Sequence, residues 1–226
     1  MRWHDGGRCG LVGWMLELAD RLRGVLPPNV GLGLGSPAAL WPGEELPNAV
    51  PSRLAEFAAG RAAARAAMVA AGLAPAAVPV GSDRAPIWPS GVVGSISHCT
   101  GAQMAISAKS TYFQGLGLDL EPEIPIPAEL WSSVLRPEEL RPLQPSSKQD
   151  GLQALRIFAA KEAAYKAQYP TSRQLFDFQT LSVRTIDDHF TARFERDIVG
   201  FPKGFNIAGR FVAGDGLVLA FCTIPM

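Results

Sequence analysis

The chain has 226 residues, enough for one sizeable core or two smaller ones built together. Its 21 lysines and arginines cancel 21 acidic residues, so no net field favours nucleic acid as a partner. Three cysteines (Cys9, Cys99, Cys222) are widely scattered, odd in number and without metal-ligand spacing, and read as reduced thiols of a cytoplasmic protein.

The apolar run 11–19 is broken by Glu17, followed by Asp20 and Arg21, and lacks a small-residue cleavage site, so it does not read as a signal peptide. No run approaches membrane-spanning length. The expectation is a short amphipathic helix over 14–22, with Trp14, Leu18 and Leu22 on one side. Residues 30–34 alternate glycine with apolar side chains and predict an early strand. Gly31, Gly33 and Gly35 faintly resemble a dinucleotide-binding fingerprint, but Pro37 and Pro42 follow at once and no acidic residue sits at the required offset, so this reading is set aside.

A helix is predicted over 52–71, capped by Ser52 and ended by Gly72. It carries Arg53, Arg61 and Arg65. A cation in the first turn opposes the helix dipole unless an anion docks there, whereupon amides and guanidinium converge on it. A solvated arginine face explains the pattern equally well. Residues 74–91, rich in proline and glycine, read as an ordered loop. Runs 92–97 and 103–108, parted by Thr100-Gly101, read as a hairpin with Ser97 and His98 presented at a rim. A His beside a small hydroxyl at a strand end suits a phosphate. A Cys99–His98 nucleophile pair is disfavoured, because adjacent strand residues face opposite sides.

Next comes Gly117-Leu118-Asp119-Leu120-Glu121. Alternation puts both carboxylates on one face and both leucines into a core. Their Cα atoms would lie about 7 Å apart, and two such charges repel by roughly 2 kcal/mol at an effective dielectric near 20. A bound divalent cation would offset that cost. Residues 122–151 hold many prolines and predict a loop with one short helix near 128–135; loops of that length are often functional. In the helix that follows, Leu155, Phe158, Tyr165 and Tyr169 form an apolar stripe whose missing member is Glu162. A buried carboxylate needs a partner or a proton. An ordinary ion pair with Lys166, one turn on, accounts for Glu162 alone about as well as a metal; beside Asp119 and Glu121 the metal reading moves ahead. The tail predicts strands over 181–186, 190–194, 205–211 and 217–224, with turns at Asp187-Asp188 and Gly214-Asp215-Gly216. The fold class expected is α+β, with mostly antiparallel strands.

Four segments occur in order: Arg53-Leu54-Ala55-Glu56-Phe57-Ala58-Ala59-Gly60-Arg61, Trp88-Pro89-Ser90-Gly91-Val92-Val93-Gly94-Ser95-Ile96-Ser97-His98, the acidic strand, and Phe158-Ala159-Ala160-Lys161-Glu162-Ala163-Ala164-Tyr165-Lys166-Ala167. Together they resemble the 4′-phosphopantetheinyl transferases, of the enterobactin synthetase component D branch. The resemblance implies two similar α/β subdomains related by a pseudo-twofold, with a seam near 113–115: residues 1–114 gripping the nucleotide of coenzyme A and 115–226 carrying the metal and catalytic carboxylates. It implies transfer of the phosphopantetheine arm of coenzyme A to a serine of an apo acyl or peptidyl carrier protein, releasing 3′,5′-ADP, with Mg²⁺ as cofactor. Asp119, Glu121 and Glu162 would surround the metal, Glu162 would accept the serine proton, and Lys161 and Lys166 would hold phosphate oxygens. Arg53, Arg61, His98 and Ser97 would grip the 3′-phosphate, with Arg84 the one basic residue available in the loop before Trp88. A monomer is implied, in siderophore or other secondary metabolism, with no membrane or nucleic-acid partner. The competing readings are a Mg²⁺-dependent nucleotide pyrophosphate hydrolase and a non-catalytic module binding coenzyme A or carrier protein.

Overall fold

The computed structural model describes residues 8–99, 101–214 and 216–226. The turn residues Thr100 and Asp215 and the side chain of Trp14 lie outside what is described. Helix α1 (Arg8–Arg23) leads to strand β1 (Gly31–Leu34) and helix α2 (Pro51–Ala70), then to β2 (Val92–Cys99), β3 (Ala102–Lys109) and β4 (Phe113–Pro122). A 3₁₀ turn (Ala128–Leu130), two short helices α3 (Trp131–Val134) and α4 (Pro137–Leu140), and the long α5 (Lys148–Ser172) follow. The chain closes with β5 (Leu181–Ile186), β6 (His189–Phe194), β7 (Asn206–Gly214) and β8 (Leu217–Pro225). All strand pairs are antiparallel, in a three-stranded sheet of order β1-β3-β2 and a five-stranded sheet of order β4-β8-β7-β6-β5. The fold is α+β, as the sequence predicts.

Each sheet carries one alanine-rich helix, and glycine sets the distance. A Cβ on Gly31 or Gly33 would overlap the backbone of α2 at Ala67 and Ala63. A Cβ on Gly115 or Gly117 would overlap the carbonyls of Ala167 and Ala163 on α5. The Gly-x-Gly alternation of β1 therefore serves helix–strand packing. The opposite face of β4 (Leu116, Leu118 and Leu120, all fully buried) joins Leu18 and Leu22 of α1 and Leu219 of β8 in a core shared by the two sheets. A second core lies between α5 and the five-stranded sheet.

Helix α1 starts at Arg8 rather than at 14, and β7 runs to Gly214 rather than to 211; two further boundaries differ for a physical reason. Pro51 occupies the first position of α2 and apolar Val50 the N-cap, so Ser52 does not cap the helix. Helix α5 starts seven residues before Leu155, where the Ser147 hydroxyl accepts the Asp150 amide at 3.2 Å. The 122–151 segment is consequently more ordered than predicted. Among the described residues no helix is long and apolar enough to cross a membrane.

Candidate active site

Strand β4 presents Gly115, Gly117, Asp119 and Glu121 on one face, the face α5 covers. The two glycines pull the helix in; beyond them the carboxylates meet the helix side chains Glu162 and Lys166. Asp119 is 3 % exposed. Its Oδ1 accepts Lys166 Nζ at 2.6 Å and the Ser97 hydroxyl at 3.2 Å. Its Oδ2 is buried and has no partner among the described residues. A buried carboxylate oxygen left unpaired is costly unless a ligand completes it.

Neighbouring charges report the same crowding. Burial, followed by the charge of Asp119, pushes the Glu121 carboxyl up to about 7, with Glu162 adding to the effect. Burial also raises Glu162, with Asp119 contributing in the same direction and Lys166 opposing. The one ion pair of Lys166 among the described residues is with Asp119, so it does not serve as a helix partner for Glu162.

The two sheets meet here without a backbone ladder. Ser95 and Ser97 of β2 accept the Leu118 and Leu120 amides of β4 at 3.0 and 3.1 Å. Ser97 therefore uses its lone pairs on Leu120 N–H and Lys166 Nζ (3.3 Å) and its proton on Asp119. It is buried and fully engaged, which corrects the expectation that it assists in holding a 3′-phosphate: it stitches the seam and orients Asp119.

Lys161 is the second correction. Its ammonium, 1 % exposed, points away from the carboxylates and binds Glu139 at 2.7 Å and the carbonyls of Val134 and Phe178 at 2.8 and 3.1 Å. All three donors are used inside the protein, so the ammonium is turned away from the expected phosphate-holding position. Glu139 in turn accepts the amides of Val183 and Arg136 at 2.6 and 2.7 Å. The pair fastens α4 and β5 to α5.

The other basic residues do gather. Arg53, Arg61, Arg84 and His98 line one pocket between α2, the 80–86 turn and the end of β2. Arg53 Nη1 donates to His98 Nε2 at 3.0 Å, which fixes the imidazole as neutral acceptor; burial and then the Arg53 charge hold its pKa below the ordinary histidine value. Arg61 is 7 % exposed, lies 4.2 Å over the Phe57 ring, and its Nε lacks a partner among the described residues. Burial lowers it to about 10, still fully charged at neutral pH. Arg65 instead pairs with buried Glu44 at 2.5 Å and is structural. A neighbouring cleft of about 380 Å³ runs from the 83–88 loop and β2 to Lys166, Tyr165 and Tyr169, sharing Arg84, Pro86 and Ile96 with the basic pocket. Cys99 is pushed up to about 11 by burial and then by Glu121 and Asp119, which removes it as a nucleophile.

Two family models match the chain: the 4′-phosphopantetheinyl transferase N-terminal domain over residues 42–108 and the 4′-phosphopantetheinyl transferase superfamily over 115–222. The chain belongs to the 4′-phosphopantetheinyl transferase superfamily. It is 38 % identical to the 4′-phosphopantetheinyl transferase Svp of Streptomyces mobaraensis over 76 % of this chain and 72 % of that one. It is 37 % identical to the transferase Npt of Nocardia iowensis over 79 % of this chain and 86 % of the relative. Enterobactin synthase component D of Salmonella typhi is 38 % identical over 55 % of this chain and 52 % of its own. The protein is thus a transferase whose basic pocket and carboxylate cluster lie on the two parts the models match.

Two contacts have no counterpart in the sequence analysis, that of Ser95 with β4 and that of Asp83 with the Tyr169 hydroxyl. Ser95 shares a face with Ser97, a period-two signal that was available. The contact between Asp83 and Tyr169 joins residues 86 positions apart and has no local signature.

Proposed function

We propose that the protein moves the 4′-phosphopantetheine arm of coenzyme A onto a serine hydroxyl of an apo acyl or peptidyl carrier protein, releasing 3′,5′-ADP. The observation that carries this reading is Asp119 Oδ2, without a partner among the described residues and close to two further carboxylates, beside a pocket lined by Arg61, whose buried Nε likewise lacks a partner among them. Among the described residues no three His, Cys, Asp or Glu side chains close around an ion by themselves. An ion held here would therefore draw part of its coordination from water and substrate phosphate oxygens, as Mg²⁺ commonly does. Asp119, Glu121 and Glu162 would hold it, and when bound it would neutralise the diphosphate and polarise the phosphorus under attack.

The remaining work falls to this chain's own groups. Arg53, Arg61, Arg84 and His98 fix the 3′-phosphate at one end, and Lys166 holds Asp119 in place at the other. Glu162, with its raised pKa, accepts the serine proton as the new oxygen–phosphorus bond forms and the bond to 3′,5′-ADP breaks. Because the transition state is loose, positioning and charge neutralisation account for most of the rate. The division of labour follows the chain: 1–114 grips the nucleotide and 115–226 supplies the carboxylates. One chain provides both, so the active unit inferred is a monomer. The similarity to enterobactin synthase component D makes a siderophore carrier the first substrate to try.

Incubation with coenzyme A, Mg²⁺ and an apo carrier, followed by intact mass of the carrier, tests this. A gain of one phosphopantetheine supports transfer; 3′,5′-ADP without carrier modification would mean a hydrolase, and neither product a binding module. Glu162→Gln is expected to lower kcat by roughly 10²–10⁴ at saturating Mg²⁺, with KM for coenzyme A within about threefold. Equal losses in both would remove the proton-accepting role. Arg61→Ala is expected to weaken coenzyme A by about 10–100-fold in calorimetry, the loss of a charge-assisted contact, and to leave dephospho-coenzyme A unchanged. Equal weakening of both ligands would show that Arg61 does not read the 3′-phosphate.

A further inference from the structure

The 80–86 turn touches both the basic pocket and the far side of the cleft. Val80 and Pro86 form a bridge at its base, and Gly81 and Ala85 exchange an amide-to-carbonyl bond of 2.8 Å. At its tip Arg84 adopts φ +69°, with its amide on the Gly81 carbonyl at 2.9 Å. A left-handed arginine is costly, so the surrounding turn must dictate where its side chain departs. Asp83 does so from inside: Oδ1 accepts the Ala85 amide at 3.0 Å, and a Cβ at Gly81 would collide with that oxygen.

The second carboxylate oxygen crosses the cleft. Asp83 Oδ2 accepts the Tyr169 hydroxyl at 2.9 Å and Arg173 Nη1 at 3.4 Å, both from the last turn and C-cap of α5. The helix that carries Glu162 and Lys166 thus holds the turn that carries Arg84. Nothing in the transfer chemistry requires Tyr169 to touch substrate through its hydroxyl.

We propose that Asp83 and Tyr169 form a latch across the cleft that sets Arg84 at a fixed distance from the carboxylates, making Tyr169 a positioning residue for recognition of the 3′-phosphate. This rests on the reading of the basic pocket as the nucleotide grip. The latch acts as a ruler: coenzyme A spans the gap between Arg84 and the carboxylate cluster when its 3′-phosphate is present, and dephospho-coenzyme A has no group for the far end of the ruler to read.

Calorimetric binding of coenzyme A and dephospho-coenzyme A to wild type, Tyr169→Phe, Arg84→Gln and the double variant tests it. Tyr169→Phe removes one hydroxyl from a half-buried ring, and is expected to reduce the preference for coenzyme A about 3–10-fold by weakening that ligand alone. The double variant is expected to match Arg84→Gln, because the latch acts through Arg84. Unchanged preference in Tyr169→Phe, equal loss for both ligands, or losses that multiply with Arg84→Gln each overturn the latch while leaving the functional reading intact. A wild-type protein that binds neither ligand overturns the functional reading, and the latch with it.

Discussion

Asp119→Asn is expected to reduce turnover at least about a hundredfold and to raise the Mg²⁺ concentration needed for half-maximal rate, since even an outer-shell change at a metal site costs 10–100-fold. The replacement keeps the shape and an acceptor for Ser97, so the fold should survive; far-ultraviolet circular dichroism and the melting temperature check that. What it removes is charge. Asp119 combines near-complete burial, an oxygen with no partner among the described residues, and a lysine whose ammonium already neutralises the other oxygen. Near-normal activity at low Mg²⁺ would remove Asp119 from the metal site and leave Ser97 and Lys166 as a structural stitch only.

Lys161→Met is expected to destabilise the protein by about 3–5 kcal/mol, the cost of stranding one member of a buried ion pair. For a chain of this size that corresponds to a fall in Tm on the order of 10 °C. The stranded charge would be Glu139, whose carboxylate also holds the amides of Arg136 and Val183. Combining Lys161→Met with Glu139→Gln should recover part of the loss, because the buried charge is gone while an acceptor for Val183 remains. At temperatures where Lys161→Met is folded, KM for coenzyme A should stay within about threefold of wild type. A variant that melts normally but loses coenzyme A affinity would restore Lys161 to the phosphate-holding role that its buried position argues against.

Much of the site was legible in the sequence because it is written in short periods. Alternation along Gly115 to Glu121 places two glycines and two carboxylates on the face that α5 covers, and the gap in the α5 stripe marks Glu162. Four basic residues from three separate segments, Arg53, Arg61, Arg84 and His98, line one pocket. Lys161 stands outside the cluster for a reason the helix period carries: neighbours in a helix point about 100° apart, so the residue before Glu162 faces α4 and β5, where it is the more deeply buried of the two. Ser97 departs from expectation for a different reason. Its hydroxyl is consumed by the junction of two sheets, and that junction depends on β2 and β4 lying side by side, which no local pattern encodes. Proline content concealed the order in 122–151, where Lys161 holds α3 and α4 through Val134 and Glu139 and Ser147 caps an early start of α5.

The most direct measurement is the anomalous scattering of Mn²⁺ soaked with coenzyme A into crystals of the protein. A single peak bounded by Asp119 Oδ2, the carboxylates of Glu121 and Glu162, and the coenzyme's diphosphate is the result predicted. A diphosphate bound in the cleft with no metal peak beside Asp119, or a peak coordinated by other side chains, would contradict it.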